Sequence, residues 1–253
     1  MNPLAALAIG EQPAWLSARD PRVRVLAALL FALTVVSLHH PSVLLVALLC
    51  AVALAMIVRL SLSMLLKRLI AFEGFMLLVL LLLPFSIPGE AWLQLGSFSA
   101  SVEGVERALV IVLRANAVVV VLLSLVGTLE PEVLGHTLAR LRLPDKLVHL
   151  FLLTVRYVSV LFDEYQRLRV AMRARCFSAG SNRHTWRTLG WLIGMLLVRS
   201  LERSQRILAA MKCRGFHGRF FLLDQTVWRW GDSLALAAFA LLPVSLLLWE
   251  RLL

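Results

Sequence analysis

The stretch RVRVLAALLFALTVVSLHHPSVLLVALLCAVALAMIV, residues 22–58, contains two long apolar runs separated by a break at residues 39–41. Each run, 22–40 and 42–58, comes close to the roughly 20 residues that an α-helix needs to cross the hydrocarbon core of a bilayer. Because the break is short, the stretch predicts a hairpin of two transmembrane helices.

The composition of the whole chain agrees with a membrane protein. The mean hydropathy of its 253 residues is +0.84 and 16% of them are charged, which is too apolar for a soluble domain of this size. Three further apolar stretches are long enough to be spans: 71–87, 106–127 and 232–250. We therefore predict an all-α polytopic protein of the cell membrane with about five transmembrane helices.

Basic residues predict the orientation of the spans. Six of them flank the first two spans on one side: Arg19, Arg22, Arg24, Arg59, Lys67 and Arg68. The loop at 88–103 contains no Lys or Arg. Because basic loops stay in the cytoplasm, we predict a cytoplasmic N-terminus, an outside loop at 88–103 and an outside C-terminus.

Most of the net charge lies in one region, residues 128–230. This region holds 17 of the 26 Lys and Arg residues and seven acidic residues, so it contributes +10 to the formal charge of +11. Helices are predicted over 130–141, 145–176 and 184–214. Arginines interrupt the apolar blocks of the two long helices, which predicts amphipathic coupling helices under the membrane. A helical pair that enters the bilayer is the alternative.

These features divide the chain into three predicted parts. Residues 1–127 form an N-terminal membrane domain with four spans. Residues 128–230 form a cytoplasmic module of coupling helices, and residues 231–253 form a C-terminal transmembrane helix.

The two long helices end in similar sequences. YQRLRVAMRARCF (165–177) aligns with SQRILAAMKCRGF (204–216), and six of the thirteen positions are identical, including Arg175 and Arg214. A helix C-terminus favours a cation by about 0.3–1 kcal/mol, and Gly215 fits the position after the helix where φ is positive. Those effects do not explain why both ends are alike. Two equal ends with a bidentate donor predict docking into two equivalent acidic sockets; chance similarity is the alternative.

Paired motifs of this kind, on long cytoplasmic helices that follow four spans, resemble the transmembrane coupling (T) component of energy-coupling factor (ECF) transporters. The stretch DPRVRVLAALL (20–30) is similar to the opening of the first span in the cobalt-type, CbiQ-like branch. The resemblance implies a location in the bacterial inner membrane and two kinds of partner besides the lipid bilayer. Two ATP-binding subunits would receive the arginines, and a small membrane subunit would capture the substrate.

The resemblance also assigns site residues. The ATPase-docking residues are Ala174, Arg175, Cys176, Cys213, Arg214 and Gly215. The family pattern is Ala-Arg-Gly, so a cysteine stands at the last place of the first motif and at the first place of the second. Both arginines keep their place, and the docking role is therefore expected of them above all.

Other polar residues have weaker assignments. Arg114 and Asn116 lie well inside the fourth predicted span, where polar groups are costly, and are expected to face a partner subunit or another span. Two sets carry metal-ligand side chains: Cys176, His184, Cys213 and His217, and the pair His39 and His40. Small size explains the cysteines and a span cap explains the histidine pair, so no metal site is predicted.

No motif predicts catalysis. The chain contains no P-loop, HExxH or GxSxG sequence, so we expect no catalytic residue and no cofactor, with ATP hydrolysis in the partner subunits. A stand-alone secondary transporter, which would show two similar halves, is one alternative. A membrane-anchored nucleic-acid-binding protein, which would interleave basic and aromatic residues, is another, although no nucleic acid partner is expected.

The predicted function is therefore that of the coupling subunit of an ECF-type ABC importer. It would transmit the ATP-driven motion of two ATPase subunits to the substrate-capturing membrane subunit. The N-terminal resemblance predicts cobalt as the substrate, as a supply for cobalamin biosynthesis. Nickel and a vitamin such as biotin are the alternatives.

Overall fold

The computed structural model describes residues 19–58, 74, 76, 78, 80–83, 91–95, 98–216 and 229–252. The chain forms two compact units. Of the described residues, we call 131–216 the helical unit, and those within 19–130 together with 229–252 the apolar unit.

The described elements follow one another in this order: α1 (Pro21–Ser37), α2 (Pro41–Ile57), β1 (Ala91–Leu95), β2 (Phe98–Ser101), α3 (Val102–Leu125), α4 (Pro131–Arg140), α5 (Asp145–Ala174), α6 (Arg183–Cys213) and α7 (Trp230–Leu252). The helix ends predicted in the 128–230 region agree with α4, α5 and α6 to within two residues. These helices are therefore confirmed as elements.

Prolines and side-chain caps start the first two helices. Pro21 and Pro41 each occupy a first helical position, where a fixed φ is suitable and no backbone N–H is needed. The carboxylate of Asp20 accepts the backbone N–H of Arg22 at 2.9 Å and so caps α1. The two helices predicted from residues 22–58 are confirmed, but each packs mainly on later helices rather than on the other.

Small side chains allow α2 and α3 to approach closely. Ala47, Ala51 and Ala55 recur every fourth residue along α2, and each is at most 2% exposed. They share one apolar core with Val120 of α3. Helices in a membrane associate through such small residues, because lipid offers little hydrophobic driving force between them.

Polar contacts tie α1 and α7 together at both ends. At their starts, Asp232 Oδ1 accepts the backbone N–H of Asp20 at 3.3 Å, and both side chains are buried. Beyond the end of α1, Glu250 Oε1 accepts the backbone N–H groups of His39 at 2.6 Å and His40 at 3.3 Å. The two helices therefore run parallel.

Two helices within the described residues are long and apolar enough to cross a membrane, Glu103–Leu125 in α3 and Trp230–Arg251 in α7. The apolar helix Pro41–Ile57 has 17 residues and rises about 26 Å, close to the hydrocarbon thickness of about 30 Å. The predicted span at 71–87 lies mostly outside the described residues. The total of five spans therefore stays a prediction.

The predicted all-α class is confirmed by the seven helices of the described residues, to which a short antiparallel ribbon is added. Strands β1 and β2 pair with Leu95 opposite Phe98, inside the loop predicted at 88–103. Aromatic residues such as Trp92 and Phe98 favour extended backbone, and this stretch is too short for a span. Ser101 ends the ribbon and caps α3, where its hydroxyl accepts the N–H of Gly104 at 3.1 Å.

A glycine sets the spacing within the helical unit. A Cβ added at Gly135 of α4 would lie 2.4 Å from Cδ2 of Leu152 on α5 and 3.1 Å from Cδ1 of Phe151. The backbone of α4 therefore lies directly against α5 side chains. Gly135 permits a contact that any larger residue would push apart.

Candidate functional site

The two long helices end in the same backbone conformation. Arg175 follows α5 with φ −91° and ψ 24°, and Arg214 follows α6 with φ −88° and ψ 12°. The next residue has a positive φ in both places, 59° at Cys176 and 76° at Gly215. The positive φ expected of Gly215 is confirmed, and the repeated sequence has a repeated conformation.

The hydrogen bonds at the two ends repeat as well. The N–H of Phe177 donates to the carbonyl of Met172, and the N–H of Phe216 donates to that of Met211, both at 3.1 Å. The N–H of Cys176 donates to the carbonyl of Arg173 at 3.0 Å, and the N–H of Gly215 donates to that of Lys212 at 3.1 Å. Together these bonds form the Schellman motif, which satisfies carbonyls that the helix leaves without a partner. The two ends are thus structurally equivalent in backbone as well as in sequence.

The motif side chains are available to a partner. Ala174, Arg175, Cys176, Cys213, Arg214 and Gly215 are all exposed. Among the described residues, the carboxylates in ion pairs with arginine are Asp20, Glu164 and Glu202, and neither motif arginine takes part in those pairs. Each helix therefore presents a guanidinium at its tip, held by a defined turn and open to an acidic group.

The departure from Ala-Arg-Gly in the first motif has a conformational cost. Cys176 adopts the left-handed region that Gly215 adopts in the second motif. A residue with a Cβ pays roughly 1–2 kcal/mol in that region, whereas glycine does not. The first turn is therefore held by its hydrogen bonds and sequence context despite an unfavourable residue.

An ion pair joins the two motif-bearing helices. Arg199 of α6 contacts the carboxylate of Glu164 on α5, and the Glu164 side chain is only 12% exposed. Arg167 lies 3.9 Å from the second oxygen of the same carboxylate. The sequence shows Arg199 only as an interruption of an apolar block, because a contact between residues 35 positions apart leaves no trace in helical periodicity.

A cavity of about 520 Å³ lies between α5 and α6. Most of its lining is apolar, with leucines such as Leu150, Leu161 and Leu208 from both helices. Among the described residues around it, Arg203 carries the one charge, and four side chains add hydroxyls: Thr154, Tyr157, Ser200 and Ser204. This cavity was not predicted from the sequence.

Arg114 has an internal partner. Its guanidinium donates a hydrogen bond to the carbonyl of Leu38, in the short connection between α1 and α2. Asn116 is half-buried on the same helix. Arg114 thus ties α3 to the connection between α1 and α2, while contact of Arg114 or Asn116 with a partner subunit stays a prediction.

The residues considered for a metal site do not form a cluster in the described part of the chain. No group of three or more His, Cys, Asp and Glu side chains comes together there. Cys176 and Cys213 are free thiols, and the ring of His184 lies 6.2 Å from that of Phe177. His217 lies outside the described residues.

Comparison with known proteins agrees with the earlier resemblance. A family model described as CbiQ, cobalt transport protein, matches residues 12–224. The cobalt transport protein CbiQ of Rhodobacter capsulatus is 32% identical over 123 residues, which cover 48% of this chain and 50% of that protein. The energy-coupling factor transporter transmembrane protein EcfT of Listeria innocua is 27% identical over 259 residues, which cover 94% of each chain.

A further relative carries a different metal in its name. The nickel permease LarQ of Lactiplantibacillus plantarum is 25% identical over 114 residues, which cover 45% of this chain and 41% of that protein. The matches to CbiQ and LarQ thus span half or less of those relatives. The match to EcfT spans nearly its whole length.

Proposed function

The chain belongs to the CbiQ family of cobalt transport proteins, and on this premise we propose that it is the transmembrane coupling component of an ECF-type importer. One observation carries the proposal. Two long helices end in equivalent turns, and each turn presents an exposed arginine. A pair of identical or similar ATP-binding subunits would offer two equivalent grooves to such a pair of ends.

In this proposal Arg175 and Arg214 each enter an acidic groove of one ATP-binding subunit. A guanidinium can bind a carboxylate through two parallel hydrogen bonds, which fixes direction as well as charge. Closure of the two ATP-binding subunits would then displace both helix ends together. ATP hydrolysis belongs to those partners, and this chain transmits the motion.

The substrate-capturing membrane subunit is proposed to bind the same two helices. Large apolar side chains of α5 and α6 stand exposed, including Leu150, Trp191 and Leu197. Many large apolar side chains exposed on one pair of helices are typical of a contact with another protein or with lipid. Motion of the helices would thereby reach the subunit that holds the substrate.

Cobalt is the proposed substrate of the complete importer. The support is the name of the matching family and of the R. capsulatus relative. Nickel is the second candidate, since the LarQ relative is named as a nickel permease. The EcfT relatives name no substrate, so a vitamin such as biotin stays a third candidate.

Removal of the two guanidinium groups tests the coupling role. Cells carrying the full transporter are compared for uptake of labelled cobalt and for co-purification of ATP-binding subunits, at matched membrane levels. Arg175→Ala and Arg214→Ala should each weaken ATPase association, because loss of a buried interfacial ion pair costs about 2–5 kcal/mol. The double variant should abolish uptake.

Arg206→Ala is the matched control. Arg206 lies on α6, is exposed, and forms only a loose pair with Glu202 at 3.9 Å. Its removal should change neither uptake nor ATPase recovery. Normal uptake by the Arg175→Ala/Arg214→Ala double variant would show that the arginines do not dock.

A further inference from the structure

The sequence repeat extends from the motifs into the packing of the two long helices. With the offset of 39 residues that aligns the motifs, Glu164 of α5 corresponds to Arg203 of α6, and Arg199 of α6 corresponds to Val160 of α5. The ion pair Glu164–Arg199 therefore has a counterpart under the repeat. That counterpart is the pair Arg203 and Val160.

The two pairs differ in whether the arginine has an acidic partner. Glu164 and Arg199 neutralise each other across the helix pair. Arg203 and Val160 instead line the cavity of about 520 Å³, and valine offers no acceptor. Arg203 is half-buried there, and among the described residues lining the cavity none is acidic.

A cation in such a place favours a specific kind of occupant. Partial burial removes water from the guanidinium, and the hydroxyls of Thr154, Tyr157, Ser200 and Ser204 on the cavity wall carry no negative charge to balance it. An incoming carboxylate would supply both charge and two acceptors in the fork geometry of arginine. The remaining walls, formed by leucines, valines and isoleucine of both helices, would contact an apolar surface around that carboxylate.

We propose that Arg203 binds a carboxylate carried by an apolar membrane helix of the substrate-capturing subunit, and that this helix occupies the cavity between α5 and α6. The inference rests on the proposed function, since it names the feature by which that partner is recognised. A carboxylate on an apolar helix is stabilised by a cationic partner, and Arg203 provides one where the repeat leaves the arginine without its own acid.

Charge reversal tests the contact in the complete transporter. Complexes are purified through a tag on this chain from cells that express all subunits, and the subunits are quantified by mass spectrometry. Arg203→Glu should lower recovery of the substrate-capturing subunit about tenfold or more, as loss of a buried charge pair does, while both ATP-binding subunits stay bound. Arg206 lies about one turn further along the same helix and is exposed, so Arg206→Glu should lower recovery neither of the substrate-capturing subunit nor of the ATP-binding subunits.

A second variant keeps the test decisive if the reversed charge disturbs the helix pair. Arg203→Met keeps an unbranched side chain of similar length without the charge. It should also lower recovery of the substrate-capturing subunit several-fold, while recovery of the ATP-binding subunits stays unchanged. Full retention of that subunit by Arg203→Met would overturn the proposal. Loss of every subunit from both variants would also overturn it, because Arg203 would then serve the fold of this chain.

Cross-linking identifies the occupant. A photoreactive residue in place of Leu208, which lines the same cavity, should form an adduct with a membrane helix of the substrate-capturing subunit that contains an Asp or Glu. Changing that acid to Arg should restore recovery with Arg203→Glu. An adduct with an ATP-binding subunit, a second copy of this chain or a phospholipid would contradict the proposed occupant.

The wild-type complex separates this inference from the function on which it rests. If the wild-type chain recovers no ATP-binding subunits, the proposed coupling function is wrong, and the inference is wrong with it. If it recovers both kinds of partner and Arg203→Glu retains the substrate-capturing subunit equally well, only the role of Arg203 is wrong.

Discussion

Cys176 and Gly215 occupy the same place in two equivalent turns, and their conformational costs differ. We expect Cys176→Gly to stabilise the end of α5 by about 1 kcal/mol, because glycine adopts a positive φ without the strain of a Cβ. Cys176→Ala keeps the Cβ and should bring no such gain. Gly215→Ala should destabilise the end of α6 by about the same amount.

Hydrogen exchange measures these effects where they occur. The amides of Phe177 and Phe216 donate the bonds that close the two turns. Exchange at Phe177 should slow in Cys176→Gly, and exchange at Phe216 should accelerate in Gly215→Ala. Equal exchange at Phe177 in the Gly and Ala variants of position 176 would mean that the backbone there carries no strain.

The motif arginines should not tolerate lysine. If each socket required only a positive charge at a helix end, the helix dipole would favour either cation equally. A fixed fork of acceptors requires the planar guanidinium, so Arg175→Lys and Arg214→Lys should each reduce cobalt uptake several-fold. Lys212→Arg should change little, since Arg173 already occupies the equivalent place in the first repeat. Wild-type uptake by both lysine variants would support the simple charge account.

Residue-level features followed from the sequence only where a local rule applied. The positive φ of Gly215 was predictable, because glycine after a helix has few other uses. The same φ at Cys176 was not, since cysteine avoids that region and only the alignment of the two repeats indicates it. The hydrogen bond from Arg114 to Leu38 joins residues 76 positions apart, and no spacing rule reaches that far.

At the scale of elements, Gly135 determines how closely α4 approaches α5. Gly135→Val should destabilise the helical unit by about 1–3 kcal/mol, because the added atoms collide with Leu152 and Phe151. Combining it with Leu152→Ala should recover part of the loss. Thermal unfolding of the purified protein in detergent measures both.

Gly190 provides the control for this substitution. It lies in α6, where an added Cβ meets no atom within 4 Å. Gly190→Ala should therefore be neutral or stabilising by up to about 1 kcal/mol, as expected for alanine in place of glycine in a helix. An equal loss of stability at both glycines would show that the close contact at Gly135 is not the cause.

The boundaries of α4, α5 and α6 and the starts of α1 and α2 were predictable to within two residues, because local chemistry sets them. Pro21 and Pro41 begin α1 and α2, and Pro144 precedes α5. The two motif sequences end α5 and α6. Packing partners were not predictable in this way. The sequence suggested that α1 and α2 pair as a hairpin, whereas the alanine stripe of α2 packs on α3, which is about 45 residues further along the chain.

At the scale of the whole molecule, orientation in the membrane is the main untested prediction. In a variant without native cysteines, a cysteine at Ser99 should react with an impermeant thiol reagent added outside intact cells, and one at Ser181 should not. The predicted topology has α1 and α7 cross in the same direction, and their parallel arrangement agrees with it. Outside labelling of position 181 would reverse the assignment of the helical unit to the cytoplasm.

The ion pair between Glu164 and Arg199 joins α5 and α6 at one point, and this point divides each helix into two segments, which we call its arms. On α5 the arm toward Arg175 measures about 17 Å and the arm toward Asp145 about 29 Å; on α6 the arms toward Arg214 and Arg183 measure about 23 Å and 24 Å. A rigid α5 turning about that point would move its far end nearly twice as far as its docking end. A rigid α6 turning about the same point would move its two ends by nearly equal distances. Equal strokes at the two arginines would therefore produce unequal strokes at the opposite ends, so the helix pair would twist as well as spread.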